Sequence, residues 1–503
     1  MQRGIRFVAV SAIFAAATFV IHADTPPNHT PDIQLQLGRL FFEDGRYGDS
    51  LEAYQKALTI SGAIRLREAR SGVIQSALRV AAFDVARREA DKLLKAWPQD
   101  PQAMSLFADA LWASGLFEEA ETKYRDALAL APDQARGHHG VARSLLARSQ
   151  LDGAMNEAQA ALGLSPRDLE IHHTTGTIYE RMHKYEEAAA AFNNYVNLLP
   201  NKDRSDKAAW SRAEIRFLRS FGQKVPFEMS AGGENVLHTV PFRLVNDKVV
   251  IRAKLNDAPG QDFIVDTGSE NTVVSRQTAQ RLGITPITYT LSAGVGEVGL
   301  RGLQLARIDS FEVGTLKLRN VPCLIKNPPL RDIPVRESES FSPLALGFSM
   351  TIDYKTRELT IGRHLVPEPA DFELPLRLYR LATVRGVVDL EHQANFVIDT
   401  GGEVISISQA TASALGKPEG GRKIKLQVYG TSGWDRDAFL LPGVDLAFAA
   451  IHYKNFPVVV LNLNAPSALL GFQLGGIVGH KFLSKYRVGI DLEKSVLRLK
   501  EVS

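Results

Sequence analysis

Apolar and polar positions along the chain fall into two regimes. Between residues 31 and 200, small residues recur every 34 positions. Ala86, Ala120, Ala154 and Ala188 keep this period, as do Ala108, Ala142 and Gly176, while Pro98, Pro132, Pro166 and Pro200 keep it in the polar gaps. A period of this length predicts stacked helical hairpins, each burying its apolar face only against the next. The small residues belong where the two helices of a hairpin cross closely, and each proline, unable to continue a helix, starts a new unit. About five units fill residues 31–200. Ser205 to Phe221 predicts a last helix that caps the open end, giving an all-α solenoid over 31–222.

From Gln223 to Glu234 the helical pattern stops among Pro226, Gly232 and Gly233, which predicts a linker over 223–237. Beyond it, short Val-, Ile-, Leu- and Phe-rich runs alternate with Gly, Pro and Asn turns, the pattern of an all-β region. Val240 to Leu255, Leu303 to Ile325, Glu358 to Ile361, Val384 to Leu390 and Lys423 to Val428 read as strands. A second linker at 364–373, holding Pro367 and Pro369, divides this region into lobes at 238–363 and 374–503.

The helical half resembles the tetratricopeptide repeat. Ala108, Gly115, Phe117, Ala120, Tyr124, Ala127 and Pro132 stand at that family's spacings, and Leu37, Gly38, Gly45, Tyr47, Tyr54 and Ala57 form an earlier copy. The resemblance implies a scaffold whose concave groove holds a protein partner and is lined by Ser105, Asp109, Trp112, Arg136, His139, Arg143, Glu170 and His173. The pairs His138-His139 and His172-His173 occupy equivalent repeat positions. Such positions lie on the order of 10 Å apart in stacked hairpins. With no Cys or carboxylate motif to complete the set, no metal site is expected.

Composition narrows the picture. At 503 residues the chain is too long for one core, and 45% apolar content is enough to bury several. The formal charge of +3 comes without any Lys/Arg block, so nucleic acid is not an expected partner. Cys323 is the only cysteine, which excludes an intrachain disulfide. At the N-terminus, Arg3 and Arg6 precede an apolar run from Phe7 to Ile21 and then Ala23 before polar Asp24-Thr25. This reads as a signal peptide over residues 1–23, and hence as export to the periplasm or the medium with no membrane span left after cleavage. The run is shorter than the ~20 residues that span a bilayer. An uncleaved anchor stays open, because Ile21 is a poorer recognition residue than a small one.

The chemistry lies in a duplicated tripeptide. Asp266-Thr267-Gly268 and Asp399-Thr400-Gly401 each end an apolar run, Phe263-Ile264-Val265 and Phe396-Val397-Ile398. A shift of 133 also superimposes Glu270 on Glu403, Ser275 on Ser408, Ala279 on Ala412 and Gly283 on Gly416. Two carboxylates brought together across a symmetry axis cannot both ionise, so the pair splits into an acid and a base that can activate water. Thr267 and Thr400 predict hydroxyls bonding across to the opposite loop, and Gly268 and Gly401 predict sharp backbone turns.

With both copies in place, the β region resembles the pepsin and retroviral-type aspartic peptidases, and specifically bacterial proteins with retroviral-like lobes. The resemblance implies that Asp266 and Asp399 are catalytic, that polypeptide is the substrate and that no cofactor or metal is used. It also implies loop support from Thr267, Gly268, Ser269, Thr400, Gly401 and Gly402, and from apolar-apolar-Gly signatures ending at Gly347 and Gly479. Thr351 to Tyr354 and Gly489 to Leu492 would be closing strands. Ser292 to Gly299 and Tyr429 to Gly433 would be flaps, with Tyr289 the candidate flap tyrosine. Gly294, Gly296 and Gly299 spell G-x-G-x-x-G, but the β-type context removes the dinucleotide reading.

Two departures stand out. Gly402 lacks the hydroxyl or methyl usual beside the catalytic oxygen, and Ile352 follows Gly347 by only five positions, whereas Ile490 follows Gly479 by eleven. They leave open a noncatalytic peptide-binding protein, and a site assembled between two chains.

Overall fold

The computed structural model describes residues 31–60, 63–229, 233–296, 300–326, 339–416 and 424–502. The expected signal peptide lies outside the described residues.

Ten helices pair into five hairpins: α1 (Pro31–Glu43) with α2 (Tyr47–Ile60), α3 (Ala63–Arg79) with α4 (Phe83–Ala96), α5 (Pro101–Ala113) with α6 (Phe117–Leu130), α7 (Ala135–Ala147) with α8 (Leu151–Leu164), and α9 (Leu169–Arg181) with α10 (Tyr185–Leu198). A further helix, α11 (Asp206–Arg219), packs on α10. The periodic alanines Ala86, Ala108, Ala120, Ala142, Ala154 and Ala188 are all fully buried, as close helix crossing requires. The same period governs the turns within hairpins, where Ala81, Gly115, Ser149 and His183 all adopt positive φ.

The β region forms two lobes on a shared base. Three strands of the first half, His238–Pro241, Glu358–Gly362 and Ser349–Asp353, meet three of the second, Tyr486–Asp491, Val496–Glu501 and Phe372–Tyr379, in one antiparallel sheet. The halves join where Ser349–Asp353 pairs with Tyr486–Asp491, Thr351 opposite Gly489, Met350 opposite Ile490 and Ile352 opposite Val488. These are the two expected closing strands, which close each other across a local twofold axis.

Three segments that read as single strands contain hairpin turns. Asn246 and Asp247, both at positive φ, break the first into Arg243–Val245 and Lys248–Leu255. Gly314 turns Leu300–Val313 into Leu316–Ile325, and Asp389 and Leu390 end Leu381–Val388. Apolar periodicity continues through a two-residue turn, so only its backbone conformation marks the break. Of Lys423 to Val428, Ile424–Lys425 and the start of Val428–Gly430 are strand, and residue 423 lies outside the described residues. The expected linkers are partly structured: Glu228–Met229 pairs with Leu318 and Arg319, and Phe372 and Glu373 already pair with Leu499 and Arg498.

The solenoid packs directly on both lobes. Trp112 meets the ring of Tyr379 edge-on with centroids 5.5 Å apart, and Phe117 meets Phe472 at 5.0 Å. Phe217, Leu218 and Phe221 share an apolar cluster with Val273, Leu305 and Leu324. The expected groove is therefore not a free surface at Trp112, where the second lobe fills it. Asp109 and Arg143 pair at 2.7 Å beneath it, and Ser105 is fully buried. Glu170 pairs with Arg79, and Arg136 with Asp109. The histidines of the repeats have protein partners: His138 bonds Glu157, His139 bonds Thr174, His172 bonds the Pro166 carbonyl, and His173 packs on Phe192 and Tyr195.

Candidate active site

Strand Gln261–Val265 runs out into Asp266-Thr267-Gly268, and strand His392–Ile398 into Asp399-Thr400-Gly401. A short parallel strand from late in the same lobe holds each one: Glu339–Phe341 sets Phe341 opposite Val265, and Gly476–Val478 sets Val478 opposite Ile398. The Asp266 N–H donates to the Phe341 carbonyl at 2.9 Å, and the Asp399 N–H to the Val478 carbonyl at 3.0 Å.

This register corrects the expected role of Gly347. The residue matching Gly479 is Ser342, next after Phe341, while Gly347 ends a short 3-10 turn, Leu344–Leu346, at φ 74°. In lobe two the loop carbonyl of Gly402 accepts from the His480 N–H at 2.9 Å. In lobe one the equivalent carbonyl, of Ser269, accepts from the Ser342 hydroxyl at 2.8 Å. A side chain thus replaces a backbone donor, which hides the match from a search for glycine. Counted from Ser342, Ile352 lies ten residues on, nearly the eleven from Gly479 to Ile490, so the lobes are close to equal.

Thr267 and Thr400 cross between the loops. The Thr267 hydroxyl donates to the Ile398 carbonyl at 2.6 Å and the Thr400 hydroxyl to the Val265 carbonyl at 2.7 Å. Each hydroxyl also accepts the other threonine's N–H, both at 3.1 Å. Both side chains are buried, so four backbone groups that water cannot reach are satisfied by two residues.

The glycines serve this approach rather than a left-handed turn. A Cβ on Gly268 would lie 2.5 Å from the Asp399 carboxyl carbon, and one on Gly401 2.7 Å from that of Asp266. Neither glycine has positive φ. Each carboxyl thus lies against the opposite loop, but their supports differ. Asp266 Oδ1 accepts the Gly268 N–H at 3.1 Å, whereas Asp399 Oδ1 accepts the N–H groups of both Gly401 and Gly402 at 2.8 Å. Gly402, which lacks the side-chain group usual at this position, gives Asp399 a second backbone donor. The Ser269 hydroxyl, at the matching position, donates instead to the Asn271 carbonyl at 2.8 Å.

Burial, with the Asp399 charge second, pushes Asp266 up to about 7. Burial also raises Asp399, against the two N–H bonds that favour its anion. Lys248, whose ammonium donates to the Gly401 carbonyl, lowers both. The arrangement can hold one proton, on Asp266, facing an ionised Asp399.

A cavity of about 1060 Å³ above the pair is lined by both lobes and by the solenoid. Its cover is two hairpins that meet. The first joins Pro286–Ala293 to Leu300–Val313, the second Val428–Gly430 to Gly433–Asp435. The Ser432 N–H donates to the Val295 carbonyl at 2.9 Å, and the Gly294 N–H to the Ser432 hydroxyl at 3.0 Å. Residues 297–299, including Gly299, lie outside the described residues. Tyr289 is 61% exposed and does not line the cavity. The indole N–H of Trp210 on α11 instead donates to the hydroxyl of Thr290 on the first hairpin, at 3.1 Å.

Lys248, Phe341, Ser342, Trp210 and Ser432 were not singled out in the sequence. Carrying the pairing register rather than the glycine through the duplication would have found Phe341. Lys248 carries no such signal, because the shift of 133 places Leu381 there. The duplicated Glu270 and Glu403 have different partners, Arg380 at 2.6 Å inside the cavity and Lys481 at 2.8 Å on the surface.

Comparison with known proteins matches the two halves of the chain to different families. Residues 251–349 and 382–479 each match the aspartyl protease family, and residues 31–63 and 74–135 match tetratricopeptide repeat families. No curated protein gives a match. Among solved structures, a tetratricopeptide repeat protein of Thermus thermophilus is 20% identical, with 37% of this chain and 99% of that one covered and a TM-score of 0.32. PilF of Pseudomonas aeruginosa is 16% identical, with 38% and 92% covered and a TM-score of 0.27. MamA of Desulfovibrio magneticus is 18% identical, with 33% and 94% covered and a TM-score of 0.25. Among the described residues, no helix is long and apolar enough to cross a membrane.

Proposed function

We propose that this chain, which carries two aspartyl protease domains behind a tetratricopeptide repeat array, is an exported endopeptidase that hydrolyses peptide bonds between Asp266 and Asp399. The observation that carries the reading is the reciprocal crossing of Thr267 and Thr400, which holds two half-buried carboxyls of one chain against each other's loops. Water lying between them would lose a proton to Asp399, the carboxylate with two backbone donors, while the protonated Asp266 polarises the scissile carbonyl. The carbonyl carbon becomes tetrahedral without any covalent link to the protein. The proton on Asp399 then passes to the leaving amine. Substrate would lie extended beneath the two hairpins, which must part to admit it. Export is supported by the basic and apolar N-terminal segment.

Two observations favour catalysis over a noncatalytic binding protein: Gly402 gives Asp399 a backbone donor, and the lobes are of similar length when Ser342 is taken as the counterpart of Gly479. The test is cleavage of an unfolded, fluorescently labelled polypeptide by the full chain. Asp266→Ala and Asp399→Asn each abolish it while circular dichroism stays unchanged. Hydrolysis surviving in both variants ends the peptidase reading. Specific activity that is constant on dilution supports a site within one chain, and loss of activity on dilution points to one formed between chains.

A further inference from the structure

We propose that the helical array forms one wall of the substrate cleft and that Glu180 and Glu214 there make a pocket for a cationic side chain, lysine or arginine, of the bound polypeptide. The inference rests on the reading of the cavity as a peptide cleft and adds what that cleft selects.

Glu180 lies at the end of α9 and Glu214 on α11, and both line the cavity that holds Asp266 and Asp399. Their carboxyls have no hydrogen-bond partner among the described residues, unlike the other carboxyls nearby. Glu270 is paired with Arg380 at 2.6 Å, and Glu118 with Arg377 at 2.9 Å. The two cations that act on Glu180 are already committed. Arg380 holds Glu270, and Arg181 donates to the carbonyls of Leu146 and Leu378 and to the Ser149 hydroxyl, at 2.9 to 3.0 Å. An unpaired carboxylate in such a place is costly, and two facing one space are costlier. Burial raises Glu180 to about 7 and Glu214 to about 8, with repulsion from Glu180 the second cause at Glu214. The Tyr185 and Phe217 rings line the same cavity and offer apolar surface for an alkyl stem. An ammonium or guanidinium delivered by substrate would supply a partner that favours the ionised carboxyls, whereas an acidic side chain would find no partner there.

The test uses the full chain with Asp266→Asn to suppress cleavage, and fluorescent decapeptides in which Lys, norleucine or Glu is walked along a fixed Ala/Val background. At one position Lys is expected to bind about tenfold more tightly than norleucine, about 1.4 kcal/mol, with Glu weakest. In Glu180→Gln/Glu214→Gln on the same background, that advantage is expected to fall below about twofold while norleucine peptides bind as before. The single Gln variants, each expected to lose part of the advantage, stand in if the double variant does not fold. No position preferring Lys, or a preference that persists in the variants, overturns the proposal. Without Asp266→Asn, peptides that bind with this preference but remain uncut end the peptidase reading and leave the pocket standing. Peptides cut with no basic preference do the reverse.

Discussion

A Cβ on Gly402 would stand 2.7 Å from Oδ2 of Asp399, so this residue has no room for a side chain without displacing the carboxylate it holds. Its N–H donates to the other oxygen of the same group. Gly402→Ala and Gly402→Ser are therefore expected to lower kcat by about tenfold or more, about 1.4 kcal/mol of barrier, in peptide hydrolysis assays. Ser269→Ala, which removes only a bond to the Asn271 carbonyl, is expected to change kcat by less than about threefold.

Thr267 and Thr400 form one network. Thr267→Val strips a donor from the Ile398 carbonyl and an acceptor from the Thr400 N–H, both buried. Leaving such groups unpaired costs about 1–3 kcal/mol. Urea unfolding of each single variant should show a loss of this size, because each removes two of the four crossing bonds, and the double variant, which removes all four, should show the larger loss.

Activity is expected to fall as pH rises past about 7, where Asp266 loses its proton and both carboxyls become ionised. Lys248→Met removes the cation that favours the ionised forms, so the alkaline limb of kcat/KM moves to higher pH. An unmoved or lowered limb refutes this role of Lys248.

Stability has a definite sign with pH. Asp266 and Glu180 stand near 7 and Glu214 near 8 in the folded chain, above the ordinary carboxylate range of about 4. The folded state thus holds protons that the unfolded chain has released, and this contribution is complete below about 4 and lost as pH climbs to about 8. Glu180→Gln/Glu214→Gln is expected to flatten the fall in Tm between pH 5 and 8, which scanning calorimetry can follow.

Trp112 joins the array to the second lobe through Tyr379 and is buried. Trp112→Ala is expected to cost about 3–5 kcal/mol in urea unfolding and to open the array–lobe junction to limited proteolysis.

The order of the two architectures, the 34-residue period and the duplicated Asp-Thr-Gly were legible in the sequence because each is a local or periodic demand. Helix crossings need small residues at fixed intervals, and the crossing loops need a hydroxyl and a glycine beside the acid. The glycine's reason was not legible. It yields to a carboxyl arriving from 133 residues away, and no local rule contains that approach.

What the sequence by itself determined is therefore a list of parts: two matched acids, their threonines and a scaffold of hairpins. Tertiary structure decided which backbone carbonyl each hydroxyl satisfies, that Phe341 and Ser342 rather than Gly347 brace the first loop, and that Gly402 strengthens the second. It also turned the array's face inward, bringing Glu180 and Glu214 into the cavity of Asp266 and Asp399. The reason is physical. Periodicity reports which residues a chain must bury, whereas pairing of unsatisfied polar groups is settled only when distant segments are packed into the same low-dielectric space.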